Sequence, residues 1–203
     1  MQVSDDDRKR ISSAIKLAEA RTRGEIVCVL AGSASEYTHI PLLWAALAAL
    51  VLPWPLIVFT GLSVQVIYAA QLACFIALAL LLSLPGLRMV LVPRRVQRMR
   101  AHRAATEQFM LRGVSQTPER TGILIFVSLA ERYARIIADS GIAEKVPQAT
   151  WQSAVDSLIA HCKSGRIADG FVAAVSISGE VLAQHFPPEA EPVDALPDRL
   201  YVI

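Results

Sequence analysis

A long uncharged segment constrains the fold of this chain more than any other feature. No Asp, Glu, Lys or Arg occurs between Glu36 and Arg88. A helix that crosses a bilayer needs about 20 predominantly apolar residues, so residues 37–87 are long enough for two crossings. The sequence therefore predicts a two-helix transmembrane hairpin.

The two spans are placed near residues 41–60 and 64–84, with a turn at 61–63. Pro53 and Pro55 lie inside the first span, and they predict a kink because proline lacks a backbone donor. A turn at these prolines would leave only about 12 residues for the first crossing, which is too short. A buried hairpin in a soluble protein is the other alternative, but two adjacent uncharged spans offer no polar face to water.

Basic residues flank the hairpin on both sides, whereas the turn at 61–63 has none. Cytoplasmic flanks of membrane spans carry an excess of Lys and Arg, so we predict that both termini are cytoplasmic. The basic residues before the hairpin are Arg8, Lys9, Arg10, Lys16, Arg21 and Arg23, and those after it are Arg88, Arg94, Arg95, Arg98, Arg100 and Arg103.

The segment 93–113 is predicted to be a helix, because it begins with a proline and ends at a glycine. Its first half is a basic surface formed by Arg94, Arg95, Arg98 and Arg100. No aromatic residue interleaves with these arginines to stack on bases, so no nucleic-acid partner is expected. We predict instead that they contact anionic lipid headgroups.

The remaining sequence predicts one α/β domain, a small mixed sheet sandwiched by helices, with the hairpin inserted after its first strand. Ile125 and Ile136 are expected in one sheet, because two apolar runs flank a short polar corner. The segment 172–177 could be a strand, but a helical interval of apolar residues favours one long helix from 169 to 186. The predicted elements are helix 4–22, strand 25–31, helix 93–113, strands 123–128 and 133–138, a helix from about 150, and the last helix.

The chain is accordingly divided into four parts. Residues 1–36 and 88–187 form the two parts of the α/β domain, and residues 37–87 form the hairpin. Residues 188–203 are predicted to be an irregular tail, because several prolines interrupt them.

The three cysteines are widely spaced and odd in number. Cys74 lies in the apolar segment, while Cys28 and Cys162 have apolar neighbours. We predict free thiols rather than a disulfide or a zinc site, with Cys28 and Cys162 buried.

No sequence motif identifies catalytic residues, since the chain has no P-loop, no HExxH and no arginine six residues after a cysteine. Two carboxylates at predicted element ends remain as metal candidates. Asp139 follows a strand and Asp169 begins the last helix; together with Asp156 or Glu107 they could bind Ca²⁺ or Mg²⁺. The alternative is structural: Asp139 belongs to an ordinary turn and Asp169 supplies an ordinary helix-start charge.

Several stretches resemble the TPM domain family. They are Thr121–Arg132, Ile136–Ile142, Trp151, Asp169–Phe171 and Leu182–Pro187. Family members include a thylakoid photosystem-repair protein and bacterial membrane proteins, and this chain resembles a bacterial, membrane-anchored branch. The resemblance implies a small mixed sheet between helices, with weak acid-phosphatase activity and calcium binding in some members. It also implies the bacterial inner membrane as the location.

Two classes of function remain open at this point. One is a membrane-anchored domain acting in protein interaction or in the assembly and maintenance of membrane complexes, with the lipid bilayer and membrane-proximal proteins as partners. The other is a weak, metal-assisted acid phosphatase that uses Asp139 and its neighbours.

Overall fold

The computed structural model describes residues 3–35, 39–84, 89–117, 119–188 and 196–203. The chain divides into two compact units. The domain unit consists of Met1–Ala34 and Arg100–Ile203, and the hairpin unit consists of Ser35–Met99. Each unit is described separately below.

The described helices include α1 (Asp5–Glu19), α2 (His39–Val51), α3 (Pro53–Phe59), α4 (Val64–Leu82), α5 (Arg94–Leu111), α6 (Ser140–Ala143), α7 (Gln152–Lys163) and α8 (Ile167–His185). Short 3-10 helices occupy Val114–Gln116 and Gln148–Trp151. The strands are β1 (Glu25–Ala31), β2 (Gly122–Ser128), β3 (Tyr133–Ala138) and β4 (Leu200–Val202).

The domain unit is built on a mixed sheet with the strand order β3-β2-β1-β4. Strand β1 runs parallel to both β2 and β4, whereas β2 and β3 are antiparallel. Ile125 and Ile136 lie directly opposite each other across β2 and β3. The prediction that these two residues share a sheet is therefore confirmed.

Helices cover both faces of this sheet, which confirms the predicted α/β sandwich. On one face, α1, α7 and α8 pack against the sheet and form a hydrophobic cluster that includes Ile11, Ile125 and Phe171. On the other face, Phe109 of α5 packs with Val29 and other residues of β1 and β2. All residues of β1 and β2 are buried, as expected for strands covered on both faces.

The last helix is a single element, as predicted, although it is long and apolar enough to be a membrane span by length and composition. Half of its most apolar window is buried inside the protein. Helix α8 packs against α1 and α7, so it serves as a core helix of the domain unit.

The end of the chain differs from the prediction of an irregular tail over 188–203. Leu200–Val202 forms β4, which pairs with β1. Two further backbone bonds extend the pairing: Gly32 N donates to Ile203 O at 2.8 Å, and Ile203 N donates to Leu30 O at 3.0 Å. A three-residue strand after several prolines has too few residues to show an alternating pattern, so no local pattern predicts it.

Of the two thiols predicted to be buried, Cys28 is fully buried and Cys162 only partly. Both are free, as is Cys74. Burial raises the pKa of the Cys28 and Cys162 thiols, so both stay protonated at neutral pH.

Gly122 marks a close approach between the start of β2 and the 3-10 helix at Val114–Gln116. A Cβ atom at Gly122 would lie 2.5 Å from the Val114 carbonyl oxygen, a contact that forces the backbone to shift. We expect Gly122→Ala to lower the free energy of unfolding by about 1–3 kcal/mol. Gly32→Ala is the matched control, since its Cβ would meet only Ile203 O at 3.8 Å. Equal thermal midpoints for the two variants in detergent would contradict this prediction.

The hairpin unit contains α2, α3 and α4. Helices α2 and α3 meet at Leu52, where the first span is interrupted just before Pro53. Helix α2 packs against α4, and the buried residues include Ala45 and Ala49 of α2 and Ile67 of α4. Residues His39–Phe59 and Val64–Leu82 are each long and apolar enough to cross a membrane.

Candidate functional site

Asp139 is the N-cap residue of the short helix α6. Its Oδ1 atom accepts a hydrogen bond from Ser140 N at 2.6 Å, whereas its Oδ2 atom is buried and has no hydrogen-bond partner among the described residues. The first contact fits the structural alternative, because an N-terminal Asp commonly caps the helix that follows. Asp139 thus keeps one oxygen without a partner at the end of β3.

Asp169 lies in the first turn of α8 and is held by Arg10 of α1. Arg10 Nη2 lies 2.6 Å from Asp169 Oδ1. The hydrogen bond and charge of Arg10 lower the pKa of the Asp169 carboxyl. Both residues line a cavity of about 210 Å³, together with Asp7 and Arg166. The Asp169 carboxylate is therefore already paired with the guanidinium group of Arg10.

The other predicted ligands have local partners. Asp156 accepts from Gln152 Nε2 at 2.8 Å, and Glu107 pairs with Arg103 at 3.1 Å. Across the described ranges, no group of three His, Cys, Asp or Glu side chains is arranged to hold a metal ion. The structure thus does not show Asp139 and Asp169 in a common ligand set, and Ca²⁺ or Mg²⁺ binding stays a prediction.

A second group of carboxyls lies where α1, β1 and the C-terminal segment meet. The sequence did not predict this group. Glu19 Oε1 accepts from Ile26 N at 2.7 Å, and Glu25 Oε2 accepts from Leu196 N at 3.2 Å. Burial raises the pKa of Glu19 to about 10, and a hydrogen bond with Asp198 adds to the increase. The Glu19 carboxyl is therefore protonated at neutral pH in the folded protein.

This raised pKa predicts a specific pH dependence. Because the folded pKa of Glu19 lies above its ordinary 4.5, the stability it contributes is fully present below about pH 4.5 and decreases as the pH rises towards 10. We expect Glu19→Gln to be more stable than the wild type at pH 8 by about 1–3 kcal/mol, and nearly equal at pH 4. Thermal unfolding at both pH values measures this, with the exposed Glu107→Gln as control. A variant less stable than the wild type at pH 8 would contradict it.

The polar corner between β2 and β3 forms hydrogen bonds with Ser33 and Ala34, the last residues of the first part of the domain unit. Glu131 is 6% exposed. Its carboxylate accepts from Ala34 N at 3.1 Å, from Ser33 Oγ at 3.2 Å and from Ser128 Oγ. This side chain links the loop after β1 to the turn after β2. The sequence does not predict this link, because the bonded residues lie far apart in the chain.

The four arginines predicted to contact lipid begin helix α5. Arg94, Arg95 and Arg98 are exposed, whereas Arg100 is partly buried and has an interaction partner. The first three belong to the hairpin unit and Arg100 belongs to the domain unit. Contact with lipid headgroups stays a prediction.

A groove runs along the outer edge of β3, at the margin of the domain unit. Its volume is about 380 Å³. One wall comes from Tyr133–Arg135 and the other from residues 148–155. Neither wall carries a carboxylate among its lining residues, which are Tyr133, Ala134, Arg135, Gln148, Ala149, Trp151, Gln152 and Val155.

Comparison with known proteins agrees with this architecture. Residues 86–181 match the family model of the TPM domain. The fold is similar to the NMR structure of BA42 protein from the psychrophilic bacterium Bizionia argentinensis sp. nov., with a TM-score of 0.64, 19% sequence identity and coverage of 100% of this chain and 97% of that chain. At this identity the likeness shows the fold alone. No curated protein matches the chain.

The match over residues 86–181 confirms the resemblance to the TPM domain family seen in the sequence. Elements outside the matched range complete the same compact unit: α1 packs against α8, β1 pairs with β2, and β4 pairs with β1.

Proposed function

We propose that this chain is a bacterial inner-membrane protein whose hairpin anchors a TPM domain at the cytoplasmic surface, where the domain binds proteins and supports the assembly or maintenance of membrane complexes. One observation carries the proposal: a folded TPM domain is continuous with a hairpin that leaves its apolar side chains exposed. Only 11% and 6% of the residues in the most apolar windows of the two spans are buried. Such a surface requires lipid or another apolar environment.

The charge pattern supports the cytoplasmic orientation. Arg94, Arg95 and Arg98 are exposed at the start of α5, in the chain segment that follows the second span. Basic side chains beside a span interact favourably with the anionic lipids of the cytoplasmic leaflet. In this proposal they hold the membrane-proximal part of the chain at the headgroups.

Crosslinking in living cells tests the interaction function. The full chain, tagged at its C-terminus, is expressed in the source bacterium, crosslinked and purified beside a tagged hairpin-only control containing residues 35–99. The proposal predicts that the same membrane or membrane-proximal proteins are repeatedly enriched with the full chain and not with the control. Equal recovery from both would contradict an interaction role for the TPM domain.

The phosphatase alternative has a separate test. The purified full chain is assayed on a generic phosphomonoester with and without Ca²⁺ or Mg²⁺, beside an Asp139→Asn variant of equal thermal stability. Metal-dependent turnover that is lost in the variant would replace the interaction proposal with the enzymatic one. We expect no turnover above background.

A further inference from the structure

The groove beside β3 lies at an open edge of the sheet. Strand β3 is the outermost strand on this side. In antiparallel pairs the N–H and C=O of one residue point to the same side, and the side alternates along the strand. Asp139 N donates to Gly122 O of β2 at 2.9 Å, so Arg135 and Ile137 face β2. Ala134 and Ile136 consequently present their backbone groups to the groove.

One of these outward groups already has a partner. Gln148 Nε2 donates to the Ile136 carbonyl oxygen at 3.1 Å. A side-chain amide here occupies the position that the N–H of a neighbouring strand would take. The N–H and C=O of Ala134 have no strand beside them in the described part of the chain, and they lie in the middle of the groove wall.

The two sides of the groove differ in chemistry. Tyr133 belongs to the side of the sheet that α5 covers, whereas Ala134 belongs to the side covered by α7. On the α5 side, Arg135 Nη1 lies 3.0 Å from His102 Nδ1. On the α7 side, the groove is lined by Trp151 and Val155. An added strand would therefore place alternate side chains against a cationic and an apolar surface.

Two residues that line this groove each contain a buried hydrogen-bond donor without an acceptor in the described part of the chain. Trp151 Nε1 and Arg135 Nε are buried and have no hydrogen-bond partner among the described residues. Both groups can only donate. A buried donor without an acceptor raises the free energy of the folded state. The guanidinium charge of Arg135 and the lack of a carboxylate among the lining residues favour an acidic occupant.

We propose that this groove binds an extended peptide segment of a partner protein, which adds an outer strand at Ala134 and places an acidic side chain beside Arg135. The inference rests on the proposed function, because it assigns the surface through which the TPM domain binds proteins. Backbone hydrogen bonds supply affinity, and the alternation of an acidic with an apolar side chain supplies specificity.

The test uses the full chain in lipid nanodiscs and a phage-displayed library of random linear heptapeptides, with empty nanodiscs for counter-selection. We expect enriched peptides to contain Asp or Glu and to lack central prolines. Ala134→Pro should weaken their binding about tenfold, since proline removes the outward N–H without affecting the bonds to β2. Arg135→Gln should weaken it at least about threefold.

The matched control is Lys163→Gln, which removes an exposed cation from the end of α7 without touching the groove. If Ala134→Pro fails to fold, Arg135→Gln alone decides the result. Three outcomes would overturn the proposal: no enrichment over empty nanodiscs, equal binding to all variants, or a concentration-dependent dimer that Ala134→Pro abolishes. The last would assign the edge to a second copy of this chain.

The same variants separate this inference from the proposed function. If cellular crosslinking recovers the same proteins with Arg135→Gln as with the wild type, the groove proposal fails while the interaction function stands. If the wild type recovers no proteins beyond the hairpin-only control, the interaction function fails whatever the peptides do.

Discussion

Replacing residues 39–82 with a short Gly/Ser linker should move the protein from the membrane fraction to the soluble fraction. Burial of one large apolar side chain contributes about 1.5–3 kcal/mol, so the hairpin as a whole contributes on the order of tens of kcal/mol. The exposed apolar side chains of the hairpin include Leu43, Leu50, Ile57, Phe59, Val64, Leu72 and Leu80. The measurement is fractionation after alkaline carbonate extraction.

A same-length Gly/Ser replacement of residues 61–63 is the matched control, because it alters the turn and leaves both helices intact. We expect this control to stay in the membrane fraction. Retention of the linker variant in the carbonate-resistant membrane would show that another part of the chain anchors it, and would contradict the assignment of the anchor to the hairpin.

Glu131→Ala is expected to lower the free energy of unfolding of the domain unit by much more than a surface substitution does. The substitution removes the acceptor of Ala34 N, Ser33 Oγ and Ser128 Oγ. Ser128 is fully buried, whereas the contacts of Ala34 and Ser33 are partly buried. An unsatisfied buried donor costs about 1–3 kcal/mol, so we expect the free energy of unfolding to fall by about 2 kcal/mol. Thermal unfolding of the purified full chain measures this loss.

Two further variants serve as comparisons for the stability loss of Glu131→Ala. Glu131→Gln keeps an acceptor oxygen and should recover part of the stability. Glu107→Ala removes an exposed carboxylate from a surface ion pair and should change stability by less than about 0.5 kcal/mol. A Glu131→Ala variant as stable as Glu107→Ala would show that the buried corner contributes little.

The elements that the sequence predicts well depend on local periodicity. The apolar runs of β1, β2 and β3 and the uncharged spans each contain enough residues to show their pattern, and the structure contains all of them. Strand β4 has only three residues, and it forms because β1 offers a parallel edge. No local pattern can report that pairing.

The candidate site was harder to predict, because its contacts join residues far apart in the chain. Glu19 and Asp198 approach each other only once β4 is in place, and Arg10 reaches Asp169 from a different helix. The groove beside β3 likewise depends on where residues 148–155 pass the strand edge. Sequence reasoning identified Asp139 and Asp169 by residue type but could not supply their partners.

A paired reporter measurement determines on which side of the membrane the C-terminus lies. Green fluorescent protein, which fluoresces when folded in the cytoplasm, and alkaline phosphatase, which is active in the periplasm, are each fused after Ile203 of the full chain and expressed in bacteria. We expect membrane-bound fluorescence from the first fusion and no phosphatase activity from the second. Active alkaline phosphatase without fluorescence would place the TPM domain in the periplasm and contradict the proposed orientation and the cytoplasmic partners.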